Sequence, residues 1–231
     1  LAILLKHINS VYEGSVSDAL KFCVSSIIVK VSNQDSDTRY AAIENTWSKK
    51  DVFTLFLQVA QKLQKAKDSF LYSTVSSVLN KNSLLLNKTD LPQKIGLVIT
   101  SPPYPNAYEY WLYHKYRMWW LGYDPINVKE QEIGARAHYF KKNNQTEFDF
   151  MDQMDGLFTF LSAGCANEAF ICFVIGRSKI HGRIIENENI IAQIGEKKGL
   201  KHITTIERTI KSSRKSFNLS HARIKEEFIV I

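Results

Sequence analysis

A chain of 231 residues, 45% hydrophobic and with 10 glycines and 5 prolines, can bury one substantial core and falls outside the disordered, collagenous and low-complexity classes. Its longest apolar runs, Leu97 to Thr100 and Phe170 to Ile175, have strand length rather than the roughly 20 residues a spanning helix requires. No basic start, apolar stretch and cleavage site follow one another as in a signal peptide, so a cytoplasmic protein without a membrane partner is expected.

The net charge of +7 is unevenly spread. Between Lys201 and Lys225 stand seven basic residues (Lys201, Arg208, Lys211, Arg214, Lys215, Arg223, Lys225) against the single acid Glu207. Such a cluster can neutralise phosphates or form an ordinary solvated face. The three cysteines, Cys23, Cys165 and Cys172, are an odd number without a CxxC pair or clustered histidines. They signal neither a disulfide framework nor a zinc site and read as small buried hydrophobes, with no metal expected.

Taken in order, the chain opens at Leu1 inside a helical pattern, and we expect the carboxyl-terminal portion of a longer or divided protein. Ser17 to Lys30 predicts a helix with Ser17 as its N-cap. The polar stretch Ser32 to Tyr40 follows, in which Arg39 is either paired with Asp35 and Asp37 or available to DNA. Asp51 to Phe70 predicts the clearest amphipathic helix, capped by Asp51, with Phe53, Phe56, Val59, Ala60 and Leu63 on one stripe. "STVSSVLNKNSLLL" predicts a short strand and a turn.

"IGLVITSPPY" predicts a fully apolar parallel strand covered on both faces, ending in two prolines. Glu109 to Trp120 predicts an aromatic helix, with residues 122 to 147 an irregular insertion. A helix from Phe148 to Leu161 leads to a strand, Ala169 to Gly176. "ENENIIAQIGEKKG" predicts a helix ended at Gly199, with Glu186 and Glu188 at its amino end, where acids suit the helix dipole. "KHITTIERTI" and "EEFIVI" predict an antiparallel pair. The expected fold is an open α/β sheet, mostly parallel, with a terminal antiparallel hairpin. Its ligand would lie beyond the carboxyl ends of the strands, where Ser101 to Tyr104 stand. His114, His138 and His181 show no triad or metal spacing and are expected to be structural.

Proline fixes φ, lacks a donor, and pushes its predecessor out of the helical region. "SPPY" after a buried strand is therefore a stiff loop with backbone acceptors, suited to an amino group. In this setting "TSPPY", Thr100 to Tyr104, resembles the motif of the amino-methylating DNA methyltransferases, which act on cytosine N4 or adenine N6. The serine form is mostly associated with cytosine N4. "NKNSLLL" before it, and "AFICFVIGRS" and the closing hairpin after it, are similar to segments of the same family. The resemblance thus covers about residues 70 to 231, with 1 to 70 a helical amino-terminal part, 71 to 231 the Rossmann-like core, and 122 to 147 a possible target-recognition insertion.

The resemblance implies a catalytic set of Ser101, Pro102, Pro103 and Tyr104. The Ser101 side chain and Pro102 carbonyl would receive the hydrogens of the target amino group, and Tyr104 would stack on a base flipped from double-stranded DNA. S-adenosylmethionine would be the methyl donor, with Asn82 and Thr100 on the cofactor side, although Asn82 stands where the family often has an acid. Tyr108, Tyr110, Arg39, Lys211, Arg214 and Lys215 are the candidate DNA contacts. Tyr113, Tyr116, Trp119 and Trp120 read as core. The family's glycine-rich cofactor turn is not found, and is expected on an upstream segment or a partner chain. The expected activity is methylation of an exocyclic amino group, cytosine N4 before adenine N6 or RNA, in a restriction-modification setting. The other class is a non-catalytic DNA-binding or specificity component that retains the fold.

Overall fold

The computed structural model describes residues 1–35, 42–70, 75–106, 108–140, 144–209 and 226–231. They form two compact units, one of residues 1–77 with 110–130, the other of residues 78–109 with 131–231.

The first unit is helical: α1 (Ala2–Ile8), α2 (Gly14–Val31), α3 (Lys49–Asp68), α4 (Tyr110–Leu121) and α5 (Pro125–Gln131), the last ending at the boundary. Leu4, Leu5, Ile8, Cys23, Val24, Ile27, Ile28 and Phe56 form its core, with Tyr116 and Leu121 packed against them. Two capping expectations are corrected. Ser17 lies inside α2, which starts at Gly14, and its hydroxyl donates to the Ile8 carbonyl. Helix α3 is capped by Ser48, with Asp51 as the reciprocal member of a capping box. An acid in the third helical position can return the bond to the cap's own N–H, and the sequence alone does not separate the two roles. Phe53, expected on the buried stripe, is 41% exposed, whereas Phe56 is buried.

The second unit carries a four-stranded sheet of β1 (Ile95–Thr100), β2 (Cys165–Gly176), β5 (Thr205–Thr209) and β6 (Glu226–Val230) in the order β1-β2-β6-β5. Only β1 and β2 are parallel; β6 runs antiparallel to both β2 and β5. The described sheet is thus mixed rather than mostly parallel. The expected closing hairpin is present, and helices α7 (Glu147–Gly164) and α8 (Asn187–Lys197) pack on one face. There Phe150, Met154, Phe158 and Leu161 of α7 and Ile191 and Ile194 of α8 meet Phe173, Ile175 and Val230. The Phe158 and Phe173 rings stack, centroids 5.1 Å apart.

The other face departs from expectation. Partners across a ladder point to the same side of a sheet, so the registers Leu97 with Phe170, Ile99 with Cys172, Val174 with Ile229, and Ile206 with Ile229 draw one apolar surface over four strands. Leu97, Ile99 and Phe170 on it are 56%, 72% and 55% exposed. Among the described residues β1 is an edge strand with one open face, not the doubly covered central strand its composition predicts.

Residues 75–80 hold no strand; short 3-10 turns at Ser83–Leu85 and Lys88–Asp90 lead into β1. Residues 122–147 are not a mere irregular insertion, since they include α5 and α6 (Arg136–Phe140), with Ala135 and Tyr139 fully buried. A small hairpin, β3 (Ser178–Ile180) and β4 (Arg183–Ile185), turns at His181 and Gly182. Both turn residues have positive φ, as a two-residue hairpin loop of this kind requires. Among the described residues no helix is long and apolar enough to cross a membrane.

Helix α7 owes its start to Thr146. The hydroxyl accepts from the Phe148 N–H at 3.3 Å, and Asp149 closes a capping box by accepting from the Thr146 N–H at 2.7 Å. Thr146→Ala is expected to lower stability by about 1 kcal/mol, read as a shifted denaturant midpoint with an unchanged m value.

Candidate functional site

The site is built from the carboxyl ends of β1 and β2. Strand β1 is led in by a capping box at Asn87 and Asp90, in which the Asp90 carboxylate accepts from the Lys81 ammonium at 2.7 Å and the Asn87 N–H at 2.9 Å. The Lys81 hydrogen bond first, and the Asn87 N–H second, hold the Asp90 carboxyl below its ordinary value of 3.8. A lowered carboxyl pKa adds stability that is full above the unfolded value and disappears as pH falls through the folded one. Asp90→Asn is therefore expected to flatten the acid limb of a stability profile below about pH 4 and to leave the neutral limb parallel to wild type.

β1 ends at Thr100, half-buried and paired in register with Phe173. Ser101 is exposed, Pro102 buried, Pro103 and Tyr104 half-buried, and Pro105 fully buried. A buried proline leaves no amide donor unpaired, so the chain can turn inward at Pro102 while Ser101 stays exposed. The Tyr104 ring lies over Gly176 at the end of β2, where a Cβ would stand 3.3 Å from Cε2 and Cζ. Tyr104 also packs against the α7 and α8 core. One side of the ring expected to meet a base thus rests on the backbone of β2.

The end of β2 is held by a polar cluster that no motif announces. Asn187, fully buried, donates through Nδ2 to the Gly176 carbonyl at 2.7 Å and to Ser178 Oγ at 2.8 Å. Arg177 pairs with Glu188 at 2.8 Å, Glu186 at 3.4 Å and Glu226 at 3.6 Å, and its guanidinium stacks over Phe228. The hydrogen bond to Glu188 is the main cause that raises the Arg177 pKa, so this cation stays charged at every working pH. The one available signal was the GRS…ENEN spacing, which sets a basic residue after the strand and two acids at the next helix start.

The other expected site residues are distributed as follows. Asn82 caps the turn at Ser83–Leu85, its Oδ1 accepting from the Leu84 N–H at 3.0 Å and its Nδ2 donating to Gln131 Oε1 at 3.2 Å. Both ends of its amide thus hold bonds within the chain. Tyr108 is half-buried, with its carbonyl accepting from the Arg136 N–H. Tyr110 is exposed and opens α4 in the helical unit. Arg39, Lys211, Arg214 and Lys215 lie outside the described residues. Arg208 of the basic cluster is paired with Glu227 on the neighbouring strand. His114 lies 3.1 Å from Arg117, His138 is buried, and His181 occupies the β3–β4 turn. Among the described residues no group of three or more His, Cys, Asp and Glu is arranged to hold a metal ion. Burial raises the thiol pKa of Cys23 and Cys165, consistent with packing roles.

Among the described residues no glycine-rich turn stands at the carboxyl ends of β1 and β2 to hold S-adenosylmethionine. A cofactor turn needs a glycine whose missing Cβ leaves room for the ligand. Six of the ten glycines face open space, and the close neighbours of Gly134, Gly164, Gly176 and Gly195 are Tyr104, Leu91, Tyr104 again and Phe158 of this same chain. A cavity of about 680 Å³ exists, lined by Cys165, Glu168, Phe170, Ile191, Lys201 and His202 among others. It lies at the end of β2 where Cys165 pairs with Ile95, the start of β1, opposite to Ser101 and away from the carboxyl ends where such sheets bind ligands. No family model, curated protein or solved structure matches the chain.

Proposed function

We propose that this chain supplies the substrate half of an amino-methyltransferase acting on DNA, with cytosine N4 as the favoured target. The observation that carries the reading is the Ser101–Tyr104 loop: a solvent-facing serine at the carboxyl end of a parallel strand, followed by a buried proline. An exocyclic amino group is a poor nucleophile because its lone pair is delocalised into the ring. Acceptors held at its two N–H groups oppose that delocalisation, and a stiff loop holds them without reorganisation. Ser101 Oγ and the Pro102 carbonyl are assigned as those acceptors, and Tyr104 as the ring against which the flipped base rests. The basic segment that includes Lys211, Arg214 and Lys215, together with Arg39, Tyr108 and Tyr110, is assigned to the DNA backbone and the displaced base.

The methyl donor, S-adenosylmethionine, is proposed to be held by a segment other than those described, on the same polypeptide or on a partner. Among the described residues β1 has an open apolar face and no strand on its outer edge, and this supports the proposal because parallel strands are stable when covered on both faces. A strand and helix added beside β1 would cover Leu97, Ile99 and Phe170. The second reading is a DNA-binding component without catalysis, and one assay separates the two. The intact protein, incubated with duplex DNA and labelled S-adenosylmethionine, is expected to yield N4-methylcytosine. DNA binding without any methylated base would overturn the catalytic reading, and N6-methyladenine would overturn the choice of cytosine.

A further inference from the structure

The geometry points to Gly134 and Asn106 as the residues that position the Ser101–Tyr104 loop, and hence, on the reading given above, the acceptors that receive the target amino group. We infer this from a clamp whose parts come from three segments of one unit. Gly134 sits at φ +71 directly against the loop: a Cβ there would stand 2.8 Å from the Tyr104 carbonyl oxygen, 3.0 Å from its carbon and 3.3 Å from the Pro103 carbonyl oxygen. Ordinary contact begins at 3.4 Å, so a methyl group would displace the Tyr104 carbonyl by about 3.4 − 2.8 = 0.6 Å. The same residue holds the loop by attraction, since its carbonyl accepts from the Asn106 N–H at 3.0 Å.

Asn106 completes the clamp from the other side. Its backbone is left-handed, φ 59, a conformation that asparagine tolerates better than other residues with a Cβ. Its Nδ2 donates to the Lys179 carbonyl in β3. Between these two anchors Pro105 is fully buried and cannot slide. Two residues beyond Gly134, the Arg136 N–H donates to the Tyr108 carbonyl at 3.3 Å, so the clamp continues past the loop. The segment from 131 to 140 thus presses the loop onto β2 and β3, and a sub-ångström shift there is carried to Tyr104 and its neighbours.

The test compares Gly134→Ala with Gly122→Ala in the intact protein. Gly122 has φ +86 and nothing within 4 Å of a built Cβ, so it imposes similar backbone strain at a position outside the clamp. Amide exchange at Asn106 is the first readout. Gly134→Ala is expected to speed it at least about tenfold and Gly122→Ala to leave it unchanged, because only the former disturbs the bond to residue 134. Turnover is the second: Gly134→Ala is expected to lower kcat by about 10- to 100-fold, as misplacement on this scale does, with Kd for duplex DNA within about threefold. Asn106→Gly, which keeps the left-handed backbone and loses the bond to Lys179, is expected to lower kcat by less. Unchanged Asn106 exchange in Gly134→Ala overturns the inference whatever the activity. Faster exchange with unchanged kcat overturns the positioning role. A wild-type protein that methylates nothing overturns the functional reading alone, and the exchange comparison still decides the clamp.

Discussion

Ser101→Ala in the intact protein is expected to lower kcat by about 10²-fold while leaving Kd for duplex DNA within about threefold, in keeping with the loss of one pre-positioned polar group at a reacting centre. On the proposed reading the hydroxyl would act as the amino group loses its ring conjugation, so its removal would weaken the transition state more than the bound ground state. Ser101 is exposed, and its truncation creates neither a cavity nor a buried orphan donor. Stability is therefore expected to change by no more than about 0.5 kcal/mol, and a fall in kcat cannot be ascribed to unfolding. Ser101→Thr keeps the hydroxyl on a stiffer side chain and is expected to retain part of the turnover. Loss of DNA affinity in parallel with kcat, or full turnover in the alanine variant, would show that Ser101 is not an acceptor for the target.

The elements with strong periodicity were legible in the sequence, and those whose environment depends on distant residues were not. Helix α7, helix α8 with its stop at Gly199, and strands β1 and β6 stand where the pattern of apolar residues and turn signals placed them, while β2 begins four residues before and β5 four residues after its expected start. Gly199 has φ +80, with the Leu200 N–H returning to the Gly195 carbonyl, which is the chain reversal that a terminal glycine permits. Composition could not reveal that among the described residues β1 is uncovered on one face, because Leu97 and Ile99 are apolar whether or not anything packs on them. Nor did propensity reveal β3 and β4: three-residue strands around His181 and Gly182 leave no periodic trace.

The same division holds at the site. Ser101 to Tyr104 form a contiguous string and could be read as one. The residues that hold the string, Gly134, Asn106, Gly176 and Asn187, are separated by up to 81 positions (187 − 106). Their roles rest on hydrogen bonds and close approaches that only the folded chain creates. Gly134 lay in a segment expected to be irregular, and its one legible signal was a glycine just before the alanine-rich start of α6.

Phe173→Ala is expected to cost about 3–5 kcal/mol, the usual range for deleting a buried aromatic ring, whereas Phe170→Ala, three residues earlier on the same strand, is expected to cost no more than about 0.5 kcal/mol. Phe173 is buried, stacks on Phe158 and sits in register with Thr100 on one side and Val230 on the other. Its loss would open a cavity under the strand end that carries Ser101, so turnover should fall with stability. Phe170 faces the open side beside Leu97, and its ring has little to lose. Denaturant titrations of the two variants at several protein concentrations measure the difference directly. If Phe170→Ala proves as costly as Phe173→Ala, the apolar face is covered in solution. A cost that grows with protein concentration would then assign the cover to a second copy, and one independent of concentration would assign it to another segment of the protein's own chain.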